Sequence, residues 1–553
     1  MKTQNNVFQK MGAILFFILA FACSKEENTD IDLPPSGEIV ITGGQIKVED
    51  FEEFEGEIGV ILSARPLVQK GYLPSQVTIN VAANNGNFTE TVPLDPFSFM
   101  GQLKIPLKGL NEAEKEELTS GVQITPEYKD AEGNIIFTEP SFTVSFQSNP
   151  TPRIANATTL AETEENQKIT LSEATAYYIQ RMNDDGSPGN SAWRHLTGAV
   201  YANVITANAS NFNGNEADRI YTFIPIPGEK NTYAIRLRDS GRFLRVSNIS
   251  QFNGVVHAAP NLSTATEFSA IADVTRYRFR LEKVTNGSYR IISVYYNLPI
   301  NQADGYGLTT ASSISNVTSQ VRLWRVVSAD VQWSVTNIGT SFLEPILPKP
   351  QTGFSFNSTL TNCGSGSLSQ TVGANVTETR SRTIGWEESL SINTSNTVHV
   401  SATVDVGFEA GFFGVGANYN LSVTAGYEHS RSVTESSSNW GDFMDTVEES
   451  LFSERTVTVP SGRASLVYDV FQFYPNTKVN FVQRLRVEGI DSKTGLNLTG
   501  EEIKTQFVFN NFNGVITSVE ANSIVITLKG TVTLDKVIKT ESDVQDISAN
   551  CKG

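Results

Sequence analysis

Four histidines, His195, His257, His399 and His429, are scattered through the 553-residue chain. None sits in a His-Glu-x-x-His run or beside paired cysteines, the spacings that bring ligands onto one face of a metal site. The stretch "NCGSGSL" from Asn362 sets serines among glycines, but without the Gly-x-Ser-x-Gly spacing that lifts a nucleophile onto a strand-to-helix turn. "NDDGSPGN" from Asn183 has the acidity of a calcium loop without its alternating ligands or closing Glu, and reads as a turn. The carboxylate pairs of glycosidases leave no short motif, and no positive sign of one is present. We therefore expect no enzyme, no metal and no cofactor, and look for function in surfaces.

The elements that would present such surfaces are strands. Charged residues make up 18% of the chain, Ser, Thr, Asn and Gly fill the turns, and alternating apolar runs far outnumber helical periods, which gives an all-β fold of several domains. The formal charge of -17, with no Lys/Arg stripe, argues against nucleic acid as a partner, because nothing would neutralise a phosphate backbone.

The N-terminus is an address. Lys2 and Lys10 precede the apolar run "MGAILFFILAFA", too short for a permanent span, which ends in small residues before Cys23. This resembles a bacterial lipoprotein signal peptide over residues 1–22, with Ala20, Phe21 and Ala22 departing from the preferred Leu and two small residues. The resemblance implies lipidation of Cys23; the alternative is an ordinary secretory signal that leaves a thiol there. "SKEENTDIDLPPSGE" then serves as a tether over residues 23–36. Its Lys25, Glu26 and Glu27 resemble the export signal of Bacteroidetes lipoproteins, which implies an outer-membrane anchor with the protein facing outward. Cys363 and Cys551 are either one disulfide closing a long loop in an oxidising compartment or two free buried thiols.

Residues 37–147 read as a β-sandwich, with strands such as "QVTINVAA" and "SFTVSFQ" and a short helix capped by Asn111 with Glu114 reciprocating. The sandwich resembles the immunoglobulin-like spacers of such lipoproteins, which implies a stalk. Residues 148–168 are a Pro/Thr/Asn-rich linker. Over residues 169–330 three repeats align: Tyr178, Tyr233 and Tyr289 open them, "VITANAS", "VVHAAPN" and "GLTTASS" continue, and Phe223, Phe279 and Trp324 close them. Three units around a pseudo-threefold axis resemble a ricin-type β-trefoil lectin. That resemblance implies glycan binding through an Asp, an aromatic and an Asn, matched here by Asp239, Phe252 and Asn253, with Asp184 or Asp185 as a weaker match. Equally, Asp239-Ser240-Gly241 is a turn and Phe252 a surface aromatic.

From residue 331 to 553 long Ser/Thr-rich strands surround "VHVSATVDVGFEAGFFGVGANYNLSVTAGY" at 398–427. On the rising arm Val398, Val400, Ala402, Val404, Val406, Phe408 and Ala410 alternate with His399, Ser401, Thr403, Asp405, Gly407 and Glu409. On the falling arm Ala417, Tyr419, Leu421, Val423, Ala425 and Tyr427 alternate with Asn418, Asn420, Ser422, Thr424, Gly426 and Glu428. One face suits lipid and the other a water-filled lumen. Residues 398–410 rise about 43 Å at ~3.3 Å each and, tilted by about 45°, cover roughly the 30 Å of a hydrocarbon core. The tip between them carries apolar Phe412, Phe413 and Val415 among glycines. A lone hairpin leaves its edge N–H and C=O groups unsatisfied in lipid, so a barrel must be closed by several copies. The segment resembles the elongated pore-forming module of the aerolysin superfamily, which implies a ring oligomer acting on a target membrane. The alternation also suits a half-buried element of a soluble sandwich, in which case the chain is a non-lytic glycan-capture or adhesion lipoprotein.

Overall fold

A computed structural model describes residues 55–84, 86–150, 152–154, 160–196, 204–207, 217–248, 254–261, 274–285, 287–303, 307–310, 322–329, 331–388, 390, 404–408, 419–423, 443–510 and 512–546. Strands dominate throughout, as the alternating apolar pattern requires.

The first unit is a sandwich of two sheets. Gln76–Ala82 pairs with Phe88–Pro93 and Val122–Lys129, while Glu57–Ser63 pairs with Met100–Pro106. Their inward residues, among them Val60, Leu62, Val77, Ile79, Leu103 and Ile124, share one core. Helix Glu112–Ser120 begins where expected: the Asn111 side chain accepts from Glu114 N at 3.0 Å, and the Glu114 carboxylate accepts from Asn111 N at 2.9 Å. Within the stretch read as linker, Pro152–Ile154 pairs in parallel with Glu57–Ser63.

The second unit is a closed barrel of six strands. Around the ring run Ala176–Met182, Tyr221–Pro225, Thr232–Leu237, Arg278–Thr285, Ser288–Ser293 and Trp324–Ala329, and the last pairs again with the first. Each repeat supplies one opening and one closing strand, with Tyr177 opposite Tyr221, Tyr233 opposite Phe279 and Tyr289 opposite Trp324. Strands Val204–Thr206, Val256–Asn261 and Gly307–Thr310, one per repeat, converge over the barrel through Val204↔His257 and Val255↔Thr309. Gly307, at φ +77°, is required there because a Cβ would lie 2.5 Å from the Ile205 carbonyl oxygen. This is a β-trefoil. The opening tyrosine of repeat one is Tyr177, fully buried, and not its half-buried neighbour Tyr178, and its closing aromatic is Tyr221 and not Phe223, so the alignment of that repeat shifts by one residue at its start and by two at its close. A one-residue shift along a strand exchanges inside for outside, and sequence alignment cannot choose between adjacent tyrosines.

The third unit is a long sheet. Arg463–Asp491 and Ser523–Asp546 pair over most of their length, and at ~3.3 Å per residue the longer strand spans about 95 Å. Val331–Phe342 and Gln351–Asn362 occupy successive halves of the outer edge of Arg463–Asp491. On the far side lie Leu368–Trp386 and then Phe443–Val459.

Helix Gly500–Phe509 fastens this sheet to the trefoil. Thr499 and Glu502 form a capping box at its start. The same Glu502 carboxylate accepts from Ser172 and Thr175 of the trefoil, and Gln506 Oε1 accepts from Ser328 N at 2.8 Å. Phe509 belongs to the trefoil core and stands edge-on to Tyr289, with ring centroids 4.5 Å apart.

Candidate functional site

The hairpin lies between two strands that are themselves neighbours. Leu368–Trp386 leads into it and Phe443–Val459 leads out, and they pair from Leu368↔Val459 to Ile384↔Phe443 without a bulge. Val404–Phe408 and Tyr419–Val423 then form a separate two-stranded sheet, beside Val331–Phe342 but not hydrogen-bonded to it.

Directly opposed residues of an antiparallel pair share a face. The register sets Val404 opposite Val423, Val406 opposite Leu421 and Phe408 opposite Tyr419, while Asp405 meets Ser422 and Gly407 meets Asn420. The register thus pairs apolar residues with apolar ones, apart from these two polar pairings. The expected lipid-side positions Val398, Val400, Ala402, Ala410, Phe412, Phe413, Val415, Ala417, Ala425 and Tyr427 lie outside the described residues. So do the expected lumen-side positions His399, Glu409, Asn418 and Glu428.

A second relation emerges from the two ladders together. Twenty residues separate Ile384 from Val404, and twenty separate Val423 from Phe443. Both ladders therefore run in one register, and joining them requires no slip. A slip of one residue would have turned one arm's apolar set onto the other arm's polar face.

On the trefoil, Asp239 lies in the turn between Thr232–Leu237 and Arg242–Val246, which Gly241 closes at φ +65° with its N–H on the Leu237 carbonyl at 3.0 Å. The carboxylate is half exposed and stands 3.9 Å from Lys493 Nζ of the long-sheet unit. Its neighbour Arg238 reaches the buried Asp491 at 3.3 Å, and Asp491 in turn accepts from the Lys493 and Thr494 amides. The turn that carries the carboxylate is docked on another domain's loop, a long-range pairing with no signal in the chain order. Phe252 and Asn253 lie outside the described residues.

In repeat one, Asp185 accepts from the Ser187 amide and hydroxyl at 2.8 and 2.6 Å, which holds its carboxyl below the usual carboxylate range. Asp184 stands 3.7 Å from Arg322. Asp185 is thus committed to its own turn, whereas Asp184 faces the residue two before the strand Trp324–Ala329. Repeat three presents Tyr295, 44% exposed and edge-on to Tyr296, at the corresponding turn. No cluster of His, Cys, Asp and Glu able to hold a metal occurs among the described residues. Cys363 is disulfide-bonded, while Cys551 and Cys23 lie outside the described residues. No helix among the described residues is long and apolar enough to cross a membrane, which says nothing of strands.

No protein-family model matches the chain, and no curated protein matches it. Among solved structures, the β-trefoil BEL in an apo crystal form is 17% identical over 29% of this chain and 95% of its own, with a TM-score of 0.21. SeviL bound to an asialo-GM1 saccharide is 17% identical over 28% of this chain and 97% of its own, at 0.19. The Cry23Aa1 and Cry37Aa1 binary complex is 16% identical over 39% of this chain and 88% of the matched chain, at 0.20. At such scores the likenesses carry no weight, and the fold stands on its own strand pairing.

Proposed function

We propose that this chain is an outward-facing lipoprotein of a bacterial outer membrane that docks on glycans or glycolipids through its trefoil and, assembled into a ring, inserts the 398–427 hairpin into a target membrane. The observation that carries this reading is the common register of the two ladders. Extended inward and outward, it pairs Val400 with Tyr427, Ala402 with Ala425, Ala410 with Ala417 and Phe412 with Val415, and closes on Phe413 and Gly414. Leu368 to Val459 then becomes one hairpin with a lipid face and a lumen face, and each copy contributes it to a closed barrel.

The trefoil supplies attachment. A carboxylate such as Asp239 accepts from two sugar hydroxyls, and an aromatic such as Phe252 packs on the ring's C–H side with Asn253 beside it. Because helix Gly500–Phe509 ties trefoil and long sheet together, docking on a surface also orients the sheet that carries the hairpin.

Dye release from liposomes, with and without glycolipid, tests the reading on soluble protein beginning after the tether. Val404→Asp places a carboxylate on the lipid face, which costs on the order of a few kcal/mol per copy, multiplied around the ring, and abolishes release. Thr403→Asp, on the other face, leaves release intact and alters ion selectivity. Permeabilisation by both variants, or none by the folded parent on glycan-bearing vesicles, leaves a glycan-capture protein instead.

A further inference from the structure

The three junctions between repeats that close the trefoil barrel are equivalent in register, but their residues differ. Tyr221 stands opposite Leu237, Phe279 opposite Ser293 and Trp324 opposite Arg181, one pair per junction. Leu237 and Ser293 are buried. At the third junction the same position carries a guanidinium. Arg181 follows Tyr177 and Ile179 of the core at intervals of two, so it leaves its strand on the core side, one residue before the end of Ala176–Met182.

A second guanidinium lies beside it. Arg322 is two residues before Trp324 and therefore diagonal to Arg181 across the pair, a separation that two long side chains span. Neither side chain makes a hydrogen bond among the described residues. Arg181 Nε is buried without a partner, and burial followed by the Arg322 charge pulls the Arg181 guanidinium below the ordinary arginine range. Arg322 faces Asp184 at 3.7 Å, beyond hydrogen-bond reach, and that carboxylate is 74% exposed. Trp193, edge-on to Trp324 with ring centroids 5.5 Å apart, holds a further buried donor without a partner at Nε1. Two like charges side by side repel, and unpaired donors are costly to bury. A chain with a formal charge of -17 has carboxylates to spare, yet sets two guanidiniums here against one.

We propose that the junction of repeats one and three is an oxyanion-binding site, in which Arg181 and Arg322 grip the sulfate or carboxylate of an acidic saccharide. The inference rests on the trefoil as the attachment unit, but the site is separate from Asp239, which belongs to repeat two. Two planar forks present donors in the pairs that an oxyanion accepts. Asp184 at the rim suits the rest of such a ligand, because a carboxylate accepts from sugar hydroxyls. The same carboxylate, in a chain of net negative charge, turns away densely charged polyanions. A single oxyanion set among hydroxyls matches both signs.

Titration calorimetry on soluble protein beginning after the tether tests this with lactose, a sulfated lactose, sialyllactose and inorganic sulfate. At least one of the two acidic sugars should bind about tenfold or more tighter than lactose, the factor that one charge-assisted contact supplies. Arg322→Gln should bring that ratio close to unity. Arg181→Leu gives this junction the residue of the second one, should act in the same way, and covers the case in which Arg322→Gln does not fold. Equal binding of acidic and neutral sugars by the parent, or a ratio that survives both substitutions, overturns the site. So does inorganic sulfate binding as tightly as the sulfated sugar, since the ligand would then be a free anion. Asp239→Ala separates the two trefoil sites. If lactose never binds while an acidic sugar does, the Asp239 reading fails and this one stands. If acidic binding is lost with Asp239, the two arginines hold no ligand of their own and the proposal falls.

Discussion

Phe509 ends a helix of the long-sheet unit, yet its ring is fully buried in the core of the trefoil. Replacing it by Ala should remove the edge-on contact with Tyr289 and leave a cavity at the base of the barrel. Phe→Ala in a core costs about 3–5 kcal/mol, of which an aromatic pair accounts for about 1. Glu502 and Gln506 still hold the helix to the trefoil through Ser172, Thr175 and Ser328, so the helix should stay docked and the loss should fall near the lower end, about 3 kcal/mol. For a unit of about 150 residues this lowers the melting temperature by roughly 6–12 °C. Calorimetry of the whole protein, combined with fluorescence, assigns the shift: Trp193 and Trp324 lie in the trefoil core, and Trp333 lies in the long-sheet core. The trefoil transition should move down while the Trp333 environment persists to higher temperature. A shift under about 2 °C would show that the helix merely rests on the trefoil, and the rigid link between attachment and hairpin would have to be abandoned.

Thr499→Ala should cost about 1 kcal/mol by removing the cap of the same helix, read in the same calorimetric transition. Burial pushes the Tyr233 hydroxyl, which donates to the Ile169 carbonyl at 2.6 Å, up to about 12. The folded state keeps a proton that the unfolded chain releases near pH 10, so this stability is intact below about pH 10 and lost as pH rises towards 12. Denaturant midpoints for Tyr233→Phe should accordingly fall less steeply than the parent's across that window. Cys363 follows Asn362, which pairs with Arg463, and Asp546 pairs with nearby Ser465, so the chain's last residues set out from the same end of the sheet. Non-reducing peptide mapping should find Cys363 joined to Cys551, and a loop of that length should hold about 5 kcal/mol on the chain-entropy account. On a glycan array Asp239→Ala should weaken binding whereas Lys493→Ala should strengthen it, because the carboxylate loses a competing cation; equal weakening would show that the pair only supports the turn.

Much of the architecture was written in local pattern. Alternation of period two announces strands in any context, and the Asn111 and Glu114 cap depends on residues three apart, so both are legible in the chain. The trefoil was legible because a unit repeated three times prints its own alignment, and the hairpin because both arms alternate in step with each other.

The remainder depended on contacts between residues hundreds of positions apart. Nothing near Arg65 in the chain indicates Glu388 or Thr527, nothing near Asp239 indicates Lys493, and Phe509 shows no sign of belonging to another unit's core. Tyr177 and Tyr178 were equivalent until the barrel turned one inward. The sequence by itself determined what each segment could become, since propensity and periodicity act over a few residues. Only the tertiary structure decided which segments meet, because burying a charge or a ring depends on partners that chain order does not specify.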